Sequence, residues 1–298
     1  MRKYIFIISI IFLISFASAT TDDTYTTSLL HFDTVGGSTT FTDENPLNIW
    51  TPHHGLTING EGDPTWGNNV HFETGDYIDS QPSTAFILGT GNWTFDTRIR
   101  YDSNGDPAQR IMGMGKYGTG YRSAKLHTAN IIGTKGLEIT FYQGIVTLGD
   151  YYHHFAAGEY NTNQWYHLQI SRCGVDGSGY ANMLIFIDGV KYDMTGIAYM
   201  TGATNLGDMK NMTLGTNDFS HFPTLYLDGS LDETRFSAGI CRNTESFTPP
   251  VYPYPSTPTS TYYELSMSKA PLVAIASLFI LLVSILIFAY SQKRRTNV

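Results

Sequence analysis

Two clusters in this 298-residue chain put aromatic rings beside hydrogen-bonding heads: Tyr151-Tyr152-His153-His154-Phe155 and Phe219-Ser220-His221-Phe222. Aromatic faces stack on the apolar faces of sugars, and an acidic neighbour such as Asp150 accepts hydrogen bonds from their hydroxyls. Tyr151, Tyr152, His153, His154, Phe219 and His221 are therefore the expected ligand-binding residues. Burial in the core is the competing role for rings of this kind. His153-His154 is too little for zinc, which needs a third placed ligand. The carboxylates are less suggestive. Cleaving a glycosidic bond takes an acid and a base or nucleophile roughly 5 to 10 Å apart. Asp232 and Glu233 are adjacent, so a regular strand points them to opposite faces. Glu138 stands alone on its strand. No nucleophile elbow, HExxH or P-loop occurs. Catalysis is not expected.

The elements that must carry these groups are strands. Residues 93–101 alternate, with Trp93, Phe95, Thr97, Ile99 and Tyr101 on one face. Short strands are expected at Leu29–Asp33 and Ile111–Met114, and Val70–Ile78 reads as a hairpin turning at Thr74-Gly75-Asp76. Leu137–Leu148 reads as a hairpin turning at Gln143-Gly144. Trp165–Ile170 and Met183–Ile187 flank a Gly-rich turn, and Asp188-Gly189 turns into Val190-Lys191-Tyr192. Leu225–Phe236 alternates again before Thr248-Pro249-Pro250. No segment between Thr20 and Thr248 keeps a 3.6-residue period, so the pattern implies an all-β sandwich or barrel.

Composition agrees with an exported β protein. Charged residues are 15% of the chain and aromatics 14%, against about 25% charged in an average soluble domain. Residues 20–250 hold 25 acidic against 12 basic residues, an excess of 13. That surface repels nucleic acid and tolerates calcium and neutral partners. Residues 1–19 read as a signal peptide: Arg2-Lys3, an apolar run to Phe16, then Ala17-Ser18-Ala19 as cleavage site. An uncleaved anchor is the alternative. Residues 249–270, rich in Pro, Ser, Thr and Tyr, read as an extended stalk. Residues 271–290 carry no charge and match the roughly 20 residues of a membrane-spanning helix. Lys293, Arg294 and Arg295 place the tail, 291–298, in the cytoplasm. The expected protein is single-pass, at a plasma membrane or envelope, with residues 20–248 outside.

Four stretches in order resemble LamG-like domains of the concanavalin A-like lectin/glucanase superfamily: LLHFD at Leu29–Asp33, HFETGDYI at His71–Ile78, WYHLQISR…LIFIDGV at Trp165–Val190, and LTLG…DGSLDETRFSAGICR…FTPP at Leu214–Pro250. The resemblance spans Ser28 to Pro250 and implies a jelly roll of two antiparallel sheets, packed face to face. It also implies glycan or protein binding, though a fold so widely shared does not fix a function. Glucanase relatives carry E-x-D-x-E on one strand; this chain has no such triplet. In the superfamily a structural calcium can sit where first and last strands meet, which makes Asp33 and Asp232 candidate ligands. The alternative for Asp232 is a hydrogen bond or salt bridge beside Arg235.

Cys173 and Cys241 lie in the exported block, where an oxidising compartment favours a disulfide; two separate thiols are the alternative. Asn92 and Asn211 begin glycosylation sequons. The expectation is a membrane-anchored module that recognises glycans or a surface protein. Its rivals are a structural adhesion or envelope protein without a small ligand, and an atypical glycoside hydrolase.

Overall fold

The structure, a computed structural model, describes residues 24–60, 66–102, 109–115, 122–131, 134–143, 146–154, 161–207, 209–216, 225–251 and 253–255. Among them the strands are β1 (Thr26–Leu30), β2 (Trp50–His53), β3 (Ile58–Asn59), β4 (Asn69–Phe72), β5 (Tyr77–Ser80), β6 (Trp93–Tyr101), β7 (Arg110–Gly115), β8 (Arg122–Ile131), β9 (Thr134–Gln143), β10 (Val146–His154), β11 (Trp165–Val175), β12 (Ala181–Ile187), β13 (Val190–Tyr192), β14 (Thr195–Ala198), β15 (Met212–Leu214) and β16 (Gly229–Ala238). The described residues contain one 3₁₀ turn, Thr84–Phe86, and no α-helix. No helix among them is long and apolar enough to cross a membrane. The expected signal peptide and the 271–290 span lie outside the described residues.

The strands form two antiparallel sheets. The first runs β13-β12-β11-β6-β16-β4-β3, with β1 also on β16; the second runs β14-β10-β9-β8-β7-β15-β5-β2. This is the all-β, two-sheet sandwich that the alternating pattern implies. First and last strands do run together, Leu29 opposite Arg235 and Leu30 opposite Thr234. The core lies between the sheets. Trp93, Phe95, Ile99 and Tyr101 of β6 point into it, as their period of two demands, and Trp93 meets Phe141 of β9 at 6.2 Å between ring centroids. Such aromatic pairs add about 0.5–1.5 kcal/mol beyond their buried area.

Two local expectations change. Val70–Ile78 is not a hairpin: β4 pairs with β16 and β3 in the first sheet, whereas β5 pairs with β15 and β2 in the second. The turn, with Asp76 N–H donating to Glu73 C=O at 3.0 Å, is a corner between layers. A hairpin and a corner have the same turn residues; only the partners differ. The β9–β10 hairpin is in place, but Gln143 is opposite Val146, so its loop sits one residue later than expected. At Asp188-Gly189 the expected tight turn holds, with both residues at positive φ (49° and 75°). That is the twist a two-residue hairpin loop requires.

The packed chain also continues past Thr248, through the first residues expected in the stalk. Tyr254 is buried, and its N–H donates to Glu233 Oε2 at 2.7 Å.

Candidate functional site

Each sheet has an outer face, and the two differ. On the first sheet, Asp96 of β6, His167 and Gln169 of β11 and Arg235 of β16 point outward. Arg235 donates to both Asp96 oxygens, at 3.2 and 2.9 Å. Residues 239–255 then lie across this face. Asn243 donates to Gln169 Oε1 at 2.8 Å, and Phe247 packs edge-on against Phe186 at 5.4 Å. The Tyr254 hydroxyl bonds Asp96 and His167, and Arg235 stacks on the Tyr254 ring at 3.7 Å. A disulfide between Cys173 and Cys241, 5.1 Å apart at Cα, pins the near end of this strap to the end of β11. Burial alone would raise Asp96, but Arg235, His167 and the Tyr254 hydroxyl overcome it and hold its carboxyl well below the usual range.

Asp33, expected with Asp232 to hold calcium, lies in a cluster just after β1. One ligand atom each of His31, Asp33 and Glu233 lie within 4.8 Å of one another. A bulge in β16 after Asp232, with Glu233 at φ 47°, puts both neighbouring carboxylates near Asp33. The opposite-face expectation for Asp232 and Glu233 thus fails, because a bulge breaks the alternation. Arg235 pairs with Asp96, and Asp232 hydrogen-bonds locally, its Oδ1 accepting from Glu233 N–H at 2.8 Å. Asp232 is 1% exposed and its Oδ2 has no hydrogen-bond partner. Burial, then Glu233, push its carboxyl up to about 9. A buried carboxyl with one oxygen open, beside two others, fits a hard cation with oxygen ligands. His31 fits less well: its Nδ1 already meets Glu233 Oε1 at 2.7 Å. Burial pulls that imidazole down, but Glu233 prevails and raises it.

The second sheet presents its outer face differently. Across it Arg110, His127, Glu138 and Tyr152 occupy facing positions on β7, β8, β9 and β10. The next row holds Lys125, Thr140 and Asp150. Thr140 Oγ1 donates to Glu138 Oε1 at 2.7 Å and lies 3.4 Å from Asp150 Oδ1. Burial and the Glu138 carboxylate, which also shares a hydrogen bond with it, push the Asp150 carboxyl up to about 6. Two carboxylates this close disfavour each other's charge, and Asp150 is the one raised. Glu138 is therefore not alone: its partner is on the neighbouring strand. Lys125 stands over the Tyr142 ring at 5.3 Å. Burial, then the charges of Arg110 and Lys125, hold His127 down at about 2, so its imidazole is neutral.

The expected ligand residues divide by the pleat. Tyr152 and His154 share the outer face with Asp150, their rings edge to face at 4.9 Å. Tyr151 points the other way and is core: 3% exposed, its hydroxyl accepting from Met200 N–H at 2.9 Å and donating to Ala181 C=O at 3.3 Å. His153 shares the Tyr151 phase and sits 4.5 Å from the Tyr192 ring. Phe219 and His221 lie outside the described residues. Asn92 is half-buried with Oδ1 accepting from Gly174 N–H at 2.7 Å, and Asn211, half-buried, precedes β15. Arg110, Lys125, His127 and Tyr142 were not expected. The alternation of Ala124, Lys125, Leu126 and His127 is the signal for β8, made faint by its small and polar residues.

No protein-family model and no curated protein matches the chain. Solved structures of similar shape exist at low identity. The botulinum neurotoxin serotype D binding domain has a TM-score of 0.46 at 12% identity, over 73% of this chain and 48% of that one. Trypanosoma rangeli sialidase in complex with sialic acid has 0.43 at 13%, over 77% and 31%. The endo-1,3-beta-glucanase from Streptomyces sioyaensis has 0.38 at 12%, over 61% and 77%. The chain spans half or less of the length of the first two. The sandwich assignment rests on the sheets themselves.

Proposed function

We propose that this chain is a LamG-like, surface-displayed module that binds a glycan on the outer face of its second sheet. One observation carries the reading. Glu138, Thr140, Asp150 and Lys125 make a half-buried polar floor beside the rings of Tyr142 and Tyr152. Sugars need such a floor for their hydroxyls and such plates for their apolar faces. The strap covers the outer face of the first sheet, which favours the second for a partner. The leader-like residues 1–19, the apolar 271–290 and the basic tail support display outside a plasma membrane or envelope, in one pass. Calcium, held by Asp33, Asp232 and Glu233, would neutralise the buried carboxylates and tie β1 to β16. The test is a glycan array on the full-length protein and on Asp150→Asn and Tyr152→Ala variants. Loss of signal in both folded variants is expected; retention in both ends the reading.

A second reading is glycoside hydrolysis, in which Asp150, its carboxyl raised beside Glu138, would supply the acid once the pair, now sharing a hydrogen bond, parts to the roughly 5 to 10 Å the reaction needs. Release of reducing ends by the wild type, abolished in Glu138→Gln, would establish it; binding without turnover would remove it.

A further inference from the structure

The outer face of the second sheet holds a group that sugar hydroxyls do not explain. Arg110 opens β7, is 8% exposed, and has neither Nε nor Nη1 hydrogen-bonded. Its neighbour across the strands, His127, is 3% exposed with Nδ1 likewise unmet. A guanidinium taken out of water with donors unmet is costly, and a charge-assisted bond to an anionic oxygen is the strong way to satisfy it. The nearby carboxylate is already engaged. Glu138 Oε1 accepts from Thr140, and its Oε2 faces His127 Nε2 at 3.5 Å. The face is also polarised: the cations Arg110 and Lys125 stand on β7 and β8, Glu138 and Asp150 on β9 and β10. With strands about 4.8 Å apart, the basic end lies roughly 14 Å from Tyr152, long enough to orient an oligosaccharide.

We propose that the saccharide bound here is acidic, its carboxylate or sulfate held by Arg110 and flanked by Lys125. The uncharged part then runs over Tyr142 toward Tyr152. Glu138 and Asp150 repel the acid group from the opposite end and so fix the direction of the chain. This inference rests on the glycan reading of the face and adds the class of sugar.

The experiment uses the full-length protein and matched oligosaccharides: one neutral, one with a uronate, one with a sulfate ester at a single position. The wild type should bind at least one acidic member about tenfold more tightly than the neutral one. The uronate and sulfate arms say which anion the slot takes. High salt should erase that preference. In a folded Arg110→Gln variant the acidic and neutral members should bind within about twofold of each other, with Arg110→Lys intermediate. Equal binding of neutral and acidic members by the wild type overturns the proposal and leaves the glycan reading standing. Binding of no member overturns both. If Arg110→Gln does not fold, the wild-type salt series decides, and an acidic preference that salt does not touch overturns the proposal.

Discussion

The outer faces of the two sheets hold similar residue types in opposite conditions. On the first, Asp96 bonds Arg235 and the Tyr254 hydroxyl, which also meets His167 Nε2, beneath the 239–255 strap; His167 Nδ1 is unmet. On the second, Asp150 sits beside Glu138, and the Arg110 guanidinium has two buried donors unmet. Charged groups that a fold needs are paired; charged groups held for a ligand wait unpaired and carry the cost. The contrast separates scaffold from site without reference to any relative.

The comparison breaks most sharply at Asp96. Asp96→Ala leaves Arg235 buried without its carboxylate and should cost about 3–5 kcal/mol in urea unfolding. Since folding lowers this carboxyl, its stabilisation is present above the ordinary carboxylate range and is lost as pH falls below about 4. The gap to wild type should therefore narrow in acid. A gap that does not change with pH would mean the network stabilises by packing alone. Replacing both cysteines by serine frees the near end of the strap. Cys173 and Cys241 are 68 residues apart, and opening a loop of that size should cost about 4 kcal/mol. A much smaller loss would show the strap held by its own contacts.

At the cluster by β1 and β16, calcium at a hundred times its dissociation constant should stabilise the full-length protein by about 3 kcal/mol. Asp232→Asn should remove the shift. No calcium response in the wild type would return that cluster to the scaffold. The smallest effect, and of opposite sign, is expected at Asp150. Its carboxyl is raised from 3.8 to about 6, so the stabilisation present below about 4 is lost as pH rises through 6. Asp150→Asn should then be more stable than wild type at neutral pH by about 1 kcal/mol, after allowance for solvent screening of a half-exposed group. The two should converge below pH 4. A loss of stability at neutral pH would place Asp150 with Asp96, as scaffold.

Much of the strand framework was legible. The alternation from Trp93 to Tyr101 and the Asp188-Gly189 turn each needed only local pattern. Strand β8 was harder, since Ser123-Ala124-Lys125 offers little apolar contrast. The site was half legible: Tyr152, His154 and Asp150 were expected together, but Tyr151 and His153 face the other way, because a strand cannot aim five successive residues at one surface.

By itself the sequence determined the all-β class and the inward set on β6. These follow from side-chain period and composition, which are properties of neighbours along the chain. Only the tertiary structure decided that Val70–Ile78 is a corner, that Asp232 and Glu233 share a cluster, that Glu138 has Asp150 for a partner, and that Tyr254 closes the first sheet. Each depends on which strand lies alongside, or on one bulged residue that shifts the register. Pairing across strands is set by the packing of the whole sandwich, and no local pattern encodes it.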